Sequence, residues 1–197
     1  IIMLQKKYEV NEIIDYSKFE IDNLFLEGTG SMVLDHLNSI AYVSESTRTN
    51  LKILDYFCKE FNYESIIFTA KDENEIIVYH TNVLMCVGTK IALVGFDMIT
   101  NQLKKEKVYN ALKNSGREII RLTNEQVTKF AGNAIELQGK ERRILALSKN
   151  AYDSLTKEQV SIISRSVTPL PIEMPTIECS GGSVRCTVAD IHLNLKS

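Results

Sequence analysis

The chain has 197 residues, enough for one domain or two small ones, with 44% hydrophobic and 24% charged residues, an ordinary soluble-globular balance. Its 23 basic and 25 acidic side chains leave a net charge of −2 and form no basic block, which argues against nucleic acid or an anionic membrane as main partner. The longest apolar stretches, such as IALVGF at 91–96, are far too short to span a bilayer.

The N-terminal YEVNEIIDYS reads as the closing strand of a unit whose beginning is absent. Next come EGTGSMVLD at 27–35 and IAYVS at 40–44, two short strands. A helix is predicted over STRTNLKILDYFCKEFN, with Leu51, Leu54, Phe57 and Phe61 on one face, and then a strand over SIIFTA. The order repeats: HTNVLMCVG at 80–88, KIALVGF at 90–96, a helix over TNQLKKEKVYNALKNSG, and REIIRLT. That helix carries Leu103, Val108 and Leu112 on one stripe and stops at Gly116. It repeats once more: AGNAIELQG at 131–139, RRILALS at 142–148, a helix over NAYDSLTKEQVSIISRS with Leu155, Val160 and Ile163, and SVTPLPI. SGGSVRCTV at 180–188 then begins a fourth unit with another strand, and His192 falls within it.

Aligning Gly30, Asn82, Asn133 and Ser183 gives spacings of 52, 51 and 50 residues. The unit is therefore strand, strand, helix, strand, and a period near fifty with incomplete ends predicts a ring or array of α/β units rather than one open sheet. No Pro/Gly/Ser-rich linker interrupts it, so residues 1–197 are read as a single domain. In such a ring equivalent strand starts converge on the axis. That convergence would bring Glu27, His80 and the Cys186 segment together as a carboxylate, an imidazole and a thiol. A cation beside Cys186, from Arg185 or protonated His80, would raise its thiolate fraction. Of the other thiols, Cys86 is expected to be buried, Cys58 lies on a helix, and Cys179 is assigned to packing. No CxxC pair or zinc spacing is present, so a reducing cytoplasmic compartment is expected and no metal is assigned. His36 and His192 are read as structural. Asn133 is read as a strand cap near the axis, and GTG at 28–30 is too short for a dinucleotide fingerprint.

LEGTGSMVLD, SESTRTN, YHTNVLMCVG, FAGNAIEL and GGSVRC, in this order, resemble the guanidine-modifying amidinotransferase superfamily, which includes arginine deiminase and dimethylarginine hydrolase. Within it the chain is most similar to the arginine-deiminase-related, citrulline-utilising hydrolases. The resemblance implies a pentein-like α/β propeller of five pseudo-symmetric ββαβ units, here incomplete. It implies Cys186 as nucleophile, His80 as the proton-moving base and Glu27 as the carboxylate partner. It implies Arg48 on the substrate carboxylate, a task suited to a guanidinium fork. The reaction implied is hydrolysis of a C–N bond through a covalent cysteine adduct, with no metal or organic cofactor. Where arginine deiminases carry an aspartate two residues after the histidine, this chain has Asn82, which can donate to and accept from a neutral ureide. That favours citrulline over arginine.

At fifty residues per unit, five units need roughly 250 residues or more. The chain therefore looks like the C-terminal two-thirds of such an enzyme, with its N-terminal units lacking. Two functions follow as alternatives: a cysteine hydrolase acting on citrulline or arginine, or a non-catalytic fragment or scaffold of the same fold that needs a partner chain. The partner expected is a small amino-acid substrate, with room for homo-oligomerisation.

Overall fold

A computed structural model describes residues 2–196. In chain order it comprises α1 (Ile2–Lys7), α2 (Gly28–Ser31), β1 (Met32–Asp35), β2 (Ile40–Ser44), α3 (Leu51–Phe61) and β3 (Glu64–Phe68). The second unit holds α4 (Thr81–Leu84), β4 (Met85–Val87), β5 (Ile91–Val94), α5 (Gln102–Asn114) and β6 (Glu118–Arg121). Next come α6 (Asn124–Thr128), β7 (Ile135–Gln138), β8 (Arg143–Ser148), α7 (Lys149–Ser154), α8 (Lys157–Ser164) and β9 (Thr168–Ile172). Two one-turn helices, α9 (Pro175–Glu178) and α10 (Val184–Thr187), finish the chain.

The strands form three separate three-stranded sheets, β1-β2-β3, β4-β5-β6 and β7-β8-β9. In each, the first pair is antiparallel and the second parallel, the latter joined through helix. The expected strand, strand, helix, strand unit is thus found three times. The middle strands are covered on both faces, which is why IALV and RILALS read as continuous apolar runs and not as alternation. The first strands β1, β4 and β7 lie side by side around an axis and line a central cavity of about 540 Å³.

A buried ion pair binds the first unit to the second. Arg117 donates from Nη1 to Asp35 Oδ2 at 2.7 Å and from Nη2 to Oδ1 at 2.8 Å, with the two side chains 2% and 0% exposed. Its Nε donates to Gly88 O and its Nη1 also to Ser115 Oγ, so the buried guanidinium is well satisfied. Between the second and third units, the Glu136 carboxylate accepts from the backbone N–H and hydroxyl of Thr89.

Several local expectations are corrected. The N-terminal YEVNEIIDYS is no strand: Tyr8 makes one bridge to Leu195, and the chain then runs irregularly into a 3-10 turn at Ser17–Asp22. The fourth unit does not begin with a strand either. Residues 184–187 form α10, and the segment carrying His192 has no strand beside it among the described residues. The first helix starts at Leu51 under an Asn50 cap, leaving Arg48 in the turn before it. Its buried face is Ile53, Leu54 and Cys58, whereas Leu51 and Phe61, at its two ends, are exposed. On α5 Val108 and Leu112 are buried as expected, but Leu103, one residue after the helix start, is 76% exposed. Gly116 does follow this helix with a φ of 76°, a conformation that suits glycine. The third helix is two: Leu155 leaves the helix and Thr156 opens α8 with a capping box to Gln159. Cys86 is buried, whereas Cys179 is exposed and not packed.

Candidate active site

Glu27 and His80 are each the residue immediately before a one-turn helix that feeds a first strand, and they are 53 residues apart. The repeat itself therefore brings them to the same end of the axis. His80 Nε2 lies 2.7 Å from Glu27 Oε2, and Arg48 Nη1 donates to Glu27 Oε1 at 2.7 Å. Burial pushes the Glu27 carboxyl up, but the hydrogen bonds and charges of Arg48 and His80 outweigh it and hold it below the ordinary carboxylate range. Arg48, bonded to Glu27, is in turn held above its ordinary value.

The imidazole of His80 lies flat against Gly30: a Cβ added there would sit 3.0 Å from Cδ2 and Nε2 of the ring. Only a residue without a side chain leaves that room. Tyr79 packs beside His80 with ring centroids 4.7 Å apart, and the Arg48 guanidinium sits 6.0 Å from the Tyr79 centroid. The Tyr79 hydroxyl reaches toward Gly181, in the loop leading to Cys186.

Cys186 sits on α10. Its sulfur accepts from Asn133 Nδ2 at 3.2 Å and faces Asn82 Oδ1 at 3.7 Å. Asn82 belongs to α4, the same helical turn that His80 opens, so the thiol meets the histidine segment directly. Asn133 Nδ2 also donates to Asn82 O at 2.9 Å, and its Oδ1 accepts from the N–H groups of Ser183 and Cys186. Together with Thr81 Oγ1 donating to Ser31 O, these bonds join successive units at partners about fifty residues apart. Gly182 is also fixed by this packing, since a Cβ there would meet Cys186 Cβ at 3.3 Å.

Of the residues selected from the sequence, Glu27, His80 and Arg48 form one hydrogen-bonded group, and Asn82 and Cys186 another that shares α4 with it. Arg185 goes elsewhere. Its guanidinium donates to Val188 O and Asp190 Oδ1 along the central cavity, and the polar partners of the sulfur are amides, not a cation. Sequence reasoning missed Tyr79 and gave Asn133 only a capping role. The match of Asn133 to Asn82 in the repeat was the signal that could have placed it beside the thiol.

Three repeated ββαβ sheets around an axis, with one-turn helices converging at one mouth, define the pentein class of α/β propeller, here with three units. Consistent with this, the unliganded structure of AgrE aligns with a TM-score of 0.67 at 17% identity, over 83% of this chain and 22% of that one. The apo structure of ArgZ, an arginine dihydrolase from the ornithine-ammonia cycle in cyanobacteria, aligns at 0.66 and 14% identity, over 86% of this chain and 27% of that one. SxtG, an amidinotransferase from Microseira wollei in the saxitoxin biosynthetic pathway, aligns at 0.57 and 12% identity, over 96% and 54%. The chain thus spans about a quarter of the full ArgZ and AgrE chains, and 61% of the ArgZ N-terminal domain. Residues 1–193 match the family model described as N,N dimethylarginine dimethylhydrolase, eukaryotic, and the chain belongs to that family. No curated protein is significantly similar to it in sequence. None of its described helices is long and apolar enough to cross a membrane.

Proposed function

We propose that the chain is a cysteine-dependent C–N hydrolase acting on the terminal guanidinium or ureide group of a small arginine-like amino acid. The observation that carries this reading is the Cys186 sulfur held between the amides of Asn133 and Asn82, the latter on the helical turn that His80 opens, with His80 bonded to Glu27. In the first step the Cys186 thiolate adds to the planar carbon, a C–N bond breaks, and ammonia or an amine leaves with a proton from His80. Water then adds to the same carbon and gives its proton to His80, and the C–S bond breaks to return the thiolate. Glu27 orients His80. Asn133 stabilises charge on sulfur. The chemistry needs no cofactor.

Asn82, a neutral donor and acceptor beside the sulfur, favours citrulline over arginine. The family's name adds N,N-dimethylarginine as a substrate class. Arg48 is assigned to the substrate carboxylate; its bond to Glu27 would have to be shared or exchanged on binding. Residues 1–197 are taken as one domain working in the cytoplasm, where a free thiol stays reduced. Incubation with citrulline, arginine and N,N-dimethylarginine, following ammonia, dimethylamine and the amino-acid products, tests the reading. Turnover that survives Cys186→Ala would end it.

A second reading is a non-catalytic scaffold whose ring is completed by another chain or copy. Exposed apolar side chains in the terminal segments, such as Ile2, Met3, Ile21 and Leu195, favour it. A monomer with measurable turnover would exclude it.

A further inference from the structure

A second polar cluster borders the central cavity, away from the Glu27–His80 pair. β1 leads from the mouth to Asp35, and His36 follows it in the β1–β2 turn. Asp190 and His192 come from the extended C-terminal segment, where alternate residues share a side. All three line the cavity. One ligand-capable atom from each lies within 4.8 Å of the others. The two imidazole centroids are 4.9 Å apart, and His192 Nε2 is 2.7 Å from Asp190 Oδ2.

We propose that His36, Asp190 and His192 form a binding site for a divalent transition metal of the zinc class. Two imidazoles and one carboxylate suit zinc, cobalt or nickel; magnesium and calcium prefer oxygen alone. Around a tetrahedral ion with ligands at about 2.0–2.2 Å, neighbouring ligand atoms are roughly 3.3–3.6 Å apart. The three residues reach that spacing by small side-chain movements, His192 and Asp190 parting from 2.7 Å while the wider pairs close in, and water completes the fourth position. The surrounding contacts are those a metal site uses. His36 Nδ1 is held by the Tyr63 hydroxyl at 2.7 Å, which fixes the ring and leaves Nε2 as its free nitrogen. Arg185 holds Asp190 Oδ1 at 3.3 Å while Oδ2 faces His192. A bound ion would fasten the segment following Cys186 to the β1–β2 turn and close that side of the cavity. It takes no part in the hydrolysis proposed above, and the two readings stand or fall separately.

Titrating the chelator-treated full chain with cobalt chloride, then displacing cobalt with zinc chloride, tests the site. The expected result is one equivalent of cobalt with visible d–d bands, no thiolate charge-transfer band, and full displacement by zinc. His36→Ala and His192→Ala should each weaken zinc at least tenfold, and Tyr63→Phe about tenfold through the lost orienting bond. Cys179→Ser and Cys186→Ser should leave affinity unchanged. Both histidines are exposed, so circular dichroism melting should show the variants folded. A charge-transfer band abolished by either serine substitution would place the metal on sulfur and overturn the proposal. Unchanged zinc affinity in folded His36→Ala and His192→Ala would overturn it equally.

Discussion

The Nδ2 amide of Asn133 lies 3.2 Å from the sulfur of Cys186, while its Oδ1 accepts the N–H groups of Ser183 and Cys186. A carboxylate in place of this amide would set negative charge against the sulfur where a donor now stands. Asn133→Asp keeps the acceptor toward both N–H groups but replaces the donor with negative charge. Alkylation of Cys186 by iodoacetamide should slow at least tenfold at neutral pH. An unchanged rate would remove Asn133 from the chemistry.

Gly30 has no side chain because the His80 ring occupies that space. Its backbone is not in the left-handed region, so Gly30→Ala is not strained locally and acts through the ring. The substitution should displace His80 from Glu27 and lower turnover about 10- to 100-fold, with a Tm shift of only a few degrees. Turnover kinetics beside thermal melting separate the two effects.

The Asp35–Arg117 pair should be costly to break singly. Asp35→Ala leaves a buried guanidinium without its partner and should cost about 3–5 kcal/mol, whereas Asp35→Leu combined with Arg117→Met should recover much of that loss. Urea unfolding of the single and double variants measures both. The same assay applied to Leu54→Ala, at 1% exposure on α3, should show a loss of about 2–5 kcal/mol.

Glu27 gives a pH signature. Its folded-state pKa lies below the ordinary 4.5, because its bonds to Arg48 and His80 outweigh its burial. Its stabilisation is therefore fully present above the unfolded value and is lost as pH falls through the lower folded value. The Tm gap between the native chain and Glu27→Gln should stay constant from about pH 7 to pH 5 and close below about pH 4. The pair is partly solvent-exposed, so the gap should correspond to under about 1 kcal/mol.

The three units were legible because each couples an apolar alternating strand to a fully apolar one, and the helices between carry their own caps at Asn50, Asn101 and Thr156. The break in the third helix was written in the sequence too, as Thr156 with Gln159 three residues on, a signal overridden by the apolar stripe running through it. The segment after Cys186 misled for a different reason. Its alternation describes an extended chain, but a strand also needs a partner, and among the described residues pairing begins only at the far end, where Glu9 N–H donates to Asn194 O and Tyr8 bridges Leu195. Residue types alone placed Arg185 beside the thiol, yet its guanidinium follows Val188 O and Asp190, contacts set by the chain's later path. Glu27 with His80 was within reach of the sequence, since the repeat fixes equivalent positions on one axis. The Asp35–Arg117 bond, spanning 82 residues between non-equivalent positions, was not.

The most direct test of the cysteine chemistry is acid-quench mass spectrometry of the full chain during turnover of citrulline, arginine or N,N-dimethylarginine. The expected result is a substrate-derived mass increment on the peptide containing Cys186, absent in Cys186→Ala. Turnover without any increment there, or an increment confined to Cys58, Cys86 or Cys179, would contradict nucleophilic attack by Cys186.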